Sequence, residues 1–188
     1  MENVICRPAT PGDIDDIMYL ERESFNKFTR ESKGVFSERI MCFSDGFMVL
    51  ETKTVSGGNK VMGAISSEIW SRNGALLRVG FVLGHSIEKR MDLGGNELYI
   101  SSFAVLPQFR VAGYGKVLFR GLLENIVKRY PLVRSVLVLV NDSWEYAKRF
   151  YTDYGFGSVA VFDGFFTEDD GVKSNGIVMR HGNIFELI

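Results

Sequence analysis

Apolar positions recur with two different periods along the chain, and each change of period marks an element. The opening "NVICRPAT" reads as a strand ending at Pro8. Thr10, Pro11 and Asp13 then make a helix start: a cap, a proline at the first helical position and an acidic residue three beyond the cap. Ile14, Ile17, Met18 and Phe25 follow at helical spacing, and a second short helix is expected over about 32–43 with Phe36, Ile40 and Phe43 inward. "GFMVLETKTVSGGNKVMGAISSEIW" predicts a hairpin, two strand-like runs about the turn "SGGN". "ELYISSFAVL" is a strong strand. The helix after it runs to about Tyr130, with Leu118, Leu122 and Ile126 on one face and Phe119, Leu123, Val127 and Tyr130 beside them. "SVLVLV" is short, continuously apolar and β-branched, as a central buried strand should be. Asp142 and Glu145 form a capping-box pattern for a further helix, with Trp144, Ala147, Phe150 and Tyr151 inward. "FGSVAVFDGFF" and "NGIVMRH" are two last strands joined through the turn-prone "TEDDGVKSN". Residues 71–96 are long for a connection; the pattern allows a lid or binding loop and, equally, an extra strand or helix packed on the core. The order β, α, α, β, β, β, α, β, α, β, β predicts an α/β (α+β mixed sheet) domain across residues 1–188, neither a TIM barrel nor a doubly wound sheet.

Composition narrows the function classes. A length of 188 residues with 46% hydrophobic and 24% charged residues suits one globular domain with a sizeable core. The net charge of −1 gives no electrostatic footprint for nucleic acid or an anionic membrane. The longest strictly apolar run, Val136 to Val140, is too short to span a bilayer, and "MENVICRPAT" has no apolar signal region. Cys6 and Cys42 make neither a disulfide framework nor a metal-ligand cluster, so the expected compartment is a reducing cytoplasm. His85 and His181 are far apart with no cysteine nearby, and no metal site is expected.

The candidate chemistry lies in "LPQFRVAGYGKVL". Gly113 and Gly115 stand at the first turn of a helix, where glycine costs about 1 kcal/mol against alanine. A strand that ends at a helix N-terminus presents unpaired N–H groups, which together with the helix dipole favour an anion. The glycines clear side chains from that surface, while Arg110 and Lys116 add positive charge. The spacing R-x-x-G-x-G is neither a dinucleotide fingerprint nor a Walker A loop, and by itself a tight structural turn fits it as well. Further on, Tyr151 sits on a helix before "TDYGF"; a phenol with an ordinary pKa of about 10 stays protonated at neutral pH and can serve as a proton donor, although tyrosines on helices also fill cores.

Together these features resemble the GNAT superfamily of acetyl-CoA-dependent N-acetyltransferases. The family pattern V-x-P-x-x-R/Q-x-x-G-x-G/A stands here as Val105 to Gly115 without a gap, and A-x-x-x-Y-x-x-x-G-F as Ala147, Tyr151, Gly155 and Phe156. "RPATPGDIDDIMYLERESF" is similar to the family's first strand and helix, and the element order matches over nearly the whole chain. The resemblance implies a GNAT-like fold whose splayed central strands leave a cleft for acetyl-CoA. It implies that Phe103, Ala104 and Val105 offer strand backbone to the pantetheine arm and acetyl carbonyl. Arg110, Val111, Ala112, Gly113, Tyr114, Gly115 and Lys116 would bind the pyrophosphate, Asn141 would reach pantetheine amides or else help cap a helix, and Tyr151 would be the general acid for the departing thiolate. The implied reaction is direct attack of an amine on the thioester; a non-catalytic acyl-CoA-binding regulatory module with the same fold is the alternative. Two positions depart from the pattern. Trp144 stands where many members carry Asn, and Ser101 and Ser102 stand where many carry a Glu or His base. Glu97, at the strand's start, is read as a solvated strand-end carboxylate, with a base acting through water as the other option. The acceptor pocket is expected from the first helices, residues 71–96 and the loop 164–175; its amine is not specified, and a homodimer is left open.

Overall fold

The computed structural model describes residues 4–53, 58–72 and 76–188. Pro8 closes β1 (Ile5–Pro8), and the Asp13 carboxylate accepts from the N–H and hydroxyl of Thr10 (2.7 and 2.9 Å), closing a single 3-10 turn before α1 (Ile14–Ser24). Ser32 accepts from the Val35 N–H to cap α2 (Lys33–Cys42), which buries Phe36 and Ile40, with Phe43 buried just beyond it. The hairpin follows as β2 (Phe47–Lys53) and β3 (Asn59–Trp70); Ser56 and Gly57 of its expected turn lie outside the described residues. After β4 (Glu97–Val105) come α3 (Tyr114–Arg129), β5 (Ser135–Asn141), α4 (Glu145–Asp153), β6 (Gly157–Thr167) and β7 (Lys173–His181), in the order read from the chain.

The strands form one sheet, β1-β2-β3-β4-β5-β7-β6, in which every neighbouring pair among the described residues is antiparallel except β4 with β5. Period-2 alternation assigns the helices to its faces. The Cα of Gly63 faces Leu118 of α3, whereas Ala64 and Ser66 face Ile17 and Leu20 of α1. The continuous apolar run of β5 is buried, as a strand covered on both faces must be.

One irregularity in β4 opens the sheet. Ser66 pairs with Ser102 but Ser67 pairs with Ile100, so Ser101 is an extra residue on β4. A bulge bends the strand that carries it. The parallel pairing of β4 with β5 stops at Ile100 with Val138. Beyond that point β4 follows β3 as far as Val105, and β5 follows β7 as far as Asn141. The two strands therefore diverge, the splay that the resemblance implies.

Two local expectations fail. Trp144, not Asp142, is the N-cap of α4 and makes no side-chain cap; the Asp142 carboxylate instead accepts from the Asn175 N–H, tying the end of β5 to β7. Glu97 is not solvated: it is 2% exposed, and its carboxylate accepts from Arg180 Nε (2.6 Å) and Nη2 (3.1 Å) and from the Ser135 hydroxyl (2.8 Å). The same pairing leaves it no role as a base. The connection over 71–96 contains two 3-10 turns whose Phe81 and Ile87 enter the core, so it packs on the sheet while still reaching the site described next.

Candidate active site

A cavity of about 800 Å³ fills the divergence between β4 and β5, a volume ordinary for a small-molecule site. One wall is β4 itself, from Tyr99 to Val105, and Val138 to Val140 of β5 stand opposite. Phe103, Ala104 and Val105 are all on this wall. Because pairing with β5 ends at Ile100, the β5-side N–H and C=O groups beyond it have no strand partner; Arg110 takes one of them, donating from Nε to the Val105 carbonyl at 2.9 Å.

The loop at the cavity's far end is a 3-10 turn, Pro107–Ala112, that contains the backbone of Val111 and Ala112 and runs into Gly113 as N-cap of α3. Gly113 has φ 79°, ψ 3°, left-handed backbone that side chains with a Cβ rarely adopt, and a Cβ built there would meet no atom within 4 Å. Gly115 has ordinary φ, and its Cβ would lie in normal contact with Phe103 (3.7 Å). Both glycines line the cavity with Arg110 and Lys116, and Lys116 has no ion pair among the described residues. This is an uncovered helix N-terminus with two cations beside it, the geometry that holds a phosphate. Tyr114 is set apart: its ring packs edge-on to Phe109, and it is not on the cavity wall.

Tyr151 reaches the cavity from α4, and the residues after it explain how it is held. Gly155 has φ 82°; its N–H donates to the Thr152 carbonyl and the Phe156 N–H to the Tyr151 carbonyl at 3.0 Å. That is a Schellman cap, and its usual apolar contact is the Phe156 ring against Tyr151 at 5.2 Å. Phe119 and Phe150 close edge-on around the same ring. The phenol is 4% exposed, lines the cavity, and has no hydrogen-bond partner among the described residues; burial raises its pKa well above the ordinary value.

Asn141 is not part of this wall. It is fully buried, donates to Glu168 (2.7 Å) and accepts from the N–H and hydroxyl of Ser143. It ties β5 to the turn after β6, and the second option read from the sequence, a role at the start of α4, is nearer to its place.

At the opposite end from the glycines lies a buried charged cluster that pattern reading passed over. Glu21 and Glu31 are on the cavity wall. Glu31 accepts from Arg39 Nη2 (3.1 Å) and the Gly84 N–H, and Arg39 Nε lies 3.8 Å from Glu68. Arg39 is 1% exposed, and its Nε and Nη1 have no hydrogen-bond partner among the described residues. His85 Nε2 faces both oxygens of Glu68 at 2.8 and 2.9 Å, and Nδ1 faces the Val82 carbonyl. Burial opposes charge on His85, but Glu68 and that carbonyl outweigh it, and the pKa rises. Tyr99, stacked on Trp70 with centroids 4.1 Å apart, lines the cavity; burial first and the Glu68 charge next push its phenol up. The sequence did carry a signal for Glu21: it stands at i+7 from Ile14 and i+4 from Ile17, a carboxylate on the apolar stripe of α1.

A family model described as Acetyltransferase (GNAT) family matches residues 15–156. A comparison with curated proteins finds no match. Among solved structures, the chain is similar to the loading GNATL domain of CurA from Lyngbya majuscula, with a TM-score of 0.75 at 15% identity over 97% of this chain and 98% of that one. It is similar to Ard1 from Thermoplasma volcanium, with a TM-score of 0.69 at 24% identity over 95% and 96% of the two chains. NAA60 of Arabidopsis thaliana, solved in complex with acetyl-CoA, has a TM-score of 0.70 at 16% identity over 95% and 98%.

Proposed function

Because the chain belongs to the GNAT acetyltransferase family, we propose that it transfers an acetyl group from acetyl-CoA to a primary amine of a small molecule or peptide by direct attack. The observation that carries the proposal is one cavity with a phosphate-ready loop at one end and, on its wall, a phenol without a hydrogen-bond partner among the described residues. The N–H groups of the loop over 110–116 would hold the pyrophosphate, with Arg110 and Lys116 beside it. The free edge of β4 at Phe103 to Val105 would pair with the pantetheine arm and donate to the thioester oxygen as charge develops there. The amine nitrogen attacks the carbonyl carbon, the C–S bond breaks, and the leaving thiolate takes the Tyr151 proton. Burial raises the phenol's pKa, so it is protonated at neutral pH when the donor binds. Acetyl-CoA bound by the Arabidopsis neighbour supports the choice of donor.

Two measurements test this. Coenzyme A at a hundredfold over its Kd should stabilise the protein by about 2.7 kcal/mol, which raises Tm by about 5–10 °C for a chain of this size. Thiol release from acetyl-CoA should then depend on an added primary amine. Stabilisation without thiol release from any amine in a broad panel would assign the chain as an acyl-CoA-binding module, and no stabilisation at all would refute the cofactor reading.

A further inference from the structure

We propose that Glu21 is the catalytic base of the transfer, taking a proton from a primary ammonium that binds at the Glu21–Glu31 end of the cavity. The inference rests on the transfer reading above and adds to it the residue that removes the amine's proton and the class of amine that fits.

Position comes first. Glu21 lies on the wall of the large cavity and also on that of a water-sized void of about 10 Å³, shared with Ser66, Ser102 and Ala104. It is therefore packed against the stretch of β4 that would hold the thioester carbonyl, on the α1 face of the strand. Its carboxylate is already oriented, since Oε1 accepts from the Glu31 N–H at 2.9 Å. No donor among the described residues reaches Oε2, which leaves that oxygen for an incoming N–H.

Charge is the second argument. Of three buried carboxylates, Glu31 and Glu68 pair with the one buried guanidinium, Arg39, and Glu68 also holds His85, whereas Glu21 has no ion pair among the described residues and feels Arg39 and Arg30 only as nearby charges. Buried charges need partners, and a bound ammonium would supply the missing positive charge at the cavity wall. The charged groups facing Glu21 are Glu31 from the segment before α2, Arg39 from α2, and Arg30; from the strands it meets Ser66 and Ser102, which do not titrate. Burial raises its pKa to about 7; the Glu31 N–H opposes this, the Glu31 charge adds to it, and Arg39 and Arg30 oppose it. A base of that strength is half-ionised at neutral pH, where a base is most effective.

The walls beside Glu21 select the rest of the acceptor. One helical turn further on, Phe25 meets Trp144 at 5.4 Å, and Trp144 meets Phe166 at 5.5 Å, all three on the cavity wall. A carboxylate and three rings on the wall of one cavity fit a primary ammonium carried on a compact apolar or aromatic group. The protons balance. The ammonium gives its first proton to Glu21, and the neutral nitrogen attacks the thioester. The thiolate takes the Tyr151 proton, the phenolate recovers the second nitrogen proton as the amide forms, and Glu21 releases its proton to solvent.

The test compares the wild-type protein with Glu21→Gln, using 2-phenylethylamine and methoxyamine as acceptors; the latter is neutral at pH 7 and needs no base. With 2-phenylethylamine the wild type should show a kcat/KM inflection near pH 7. Glu21→Gln should lose that inflection and about a hundredfold or more in rate, while keeping near wild-type rates with methoxyamine and an unchanged Tm shift with coenzyme A. If Glu21→Gln does not fold, Glu21→Asp should retain the inflection at a reduced rate. A variant that keeps both rate and inflection with 2-phenylethylamine, or that loses equally on both amines, overturns the Glu21 assignment alone. A wild type that releases no thiol with any amine overturns the transfer reading and this inference with it.

Discussion

Gly113 and Gly115 stand two residues apart in the same loop, yet alanine at each should move stability in opposite directions, and only the one at Gly113 should weaken binding. At Gly113 the Cβ meets nothing within 4 Å, so no clash contributes. The left-handed backbone at φ 79° is the whole cost, about 1–2 kcal/mol for an L-residue. For a chain of this size 1 kcal/mol shifts Tm by about 2–4 °C, so Gly113→Ala should lower Tm by about 2–8 °C. Gly115 is the second residue of α3 with ordinary φ, and its Cβ would sit 3.7 Å from Phe103 and 4.0 Å from Phe150, both normal contacts. Alanine there gains up to about 1 kcal/mol of helix propensity and should raise Tm by as much as about 2–4 °C. The Gly113 methyl would stand in open space at the loop that would hold the pyrophosphate, so Gly113→Ala should bind coenzyme A at least tenfold more weakly, a loss of about 1.4 kcal/mol, whereas the Gly115 methyl would lie against Phe103 and Phe150 and should leave affinity near wild type. Thermal unfolding without ligand and titration calorimetry with coenzyme A measure the two effects separately. Wild-type affinity in Gly113→Ala would refute the phosphate-cradle argument, and a Tm that falls in both variants would refute the assignment of cost to backbone conformation.

Tyr151→Phe should lower kcat about a hundredfold or more while leaving coenzyme A affinity within twofold, measured by thiol release and calorimetry; lost affinity at normal turnover would contradict the acid role. Arg180→Ala would leave Glu97 buried with Ser135 as its remaining donor, at a cost of about 3–5 kcal/mol that denaturant unfolding would register. Glu21 has a folded-state pKa of about 7 against an ordinary 4.5, so folding takes up a proton between those values. Its contribution to stability is full below about pH 4.5 and is lost as pH rises through about 7. Glu21→Gln should flatten that fall, leaving the variant more stable than the wild type at pH 8, by differential scanning calorimetry; an unchanged slope would mean that Glu21 does not titrate in this window.

What could be read along the chain is what short-range geometry controls. Val105 to Gly115 is a strand end, a turn and a helix start, and Ala147 to Phe156 is a helix with its Schellman cap; most backbone hydrogen bonds within each join residues a few positions apart, so the turn and the cap were legible in the spacing, while the coenzyme A reading came from the family resemblance. The apolar run of β5 and the stripe of α3 were legible for the same reason, since period reports burial. The places where reading along the chain failed all involve partners remote in sequence. Glu97 looked solvated because Arg180 is 83 residues away, Asn141 looked free for a ligand because Glu168 is 27 residues on, and Asp142 looked like a cap until β7 brought the Asn175 N–H to it. The loop at Gly113 and the helix end that holds Tyr151 were therefore legible in the sequence as two local motifs. The buried charged cluster at the cavity wall was decided by the tertiary structure alone, because Glu21, Glu31, Arg39, Glu68 and His85 come from five separate segments, and a buried charge takes its pKa and its partners from whatever the folded chain packs around it.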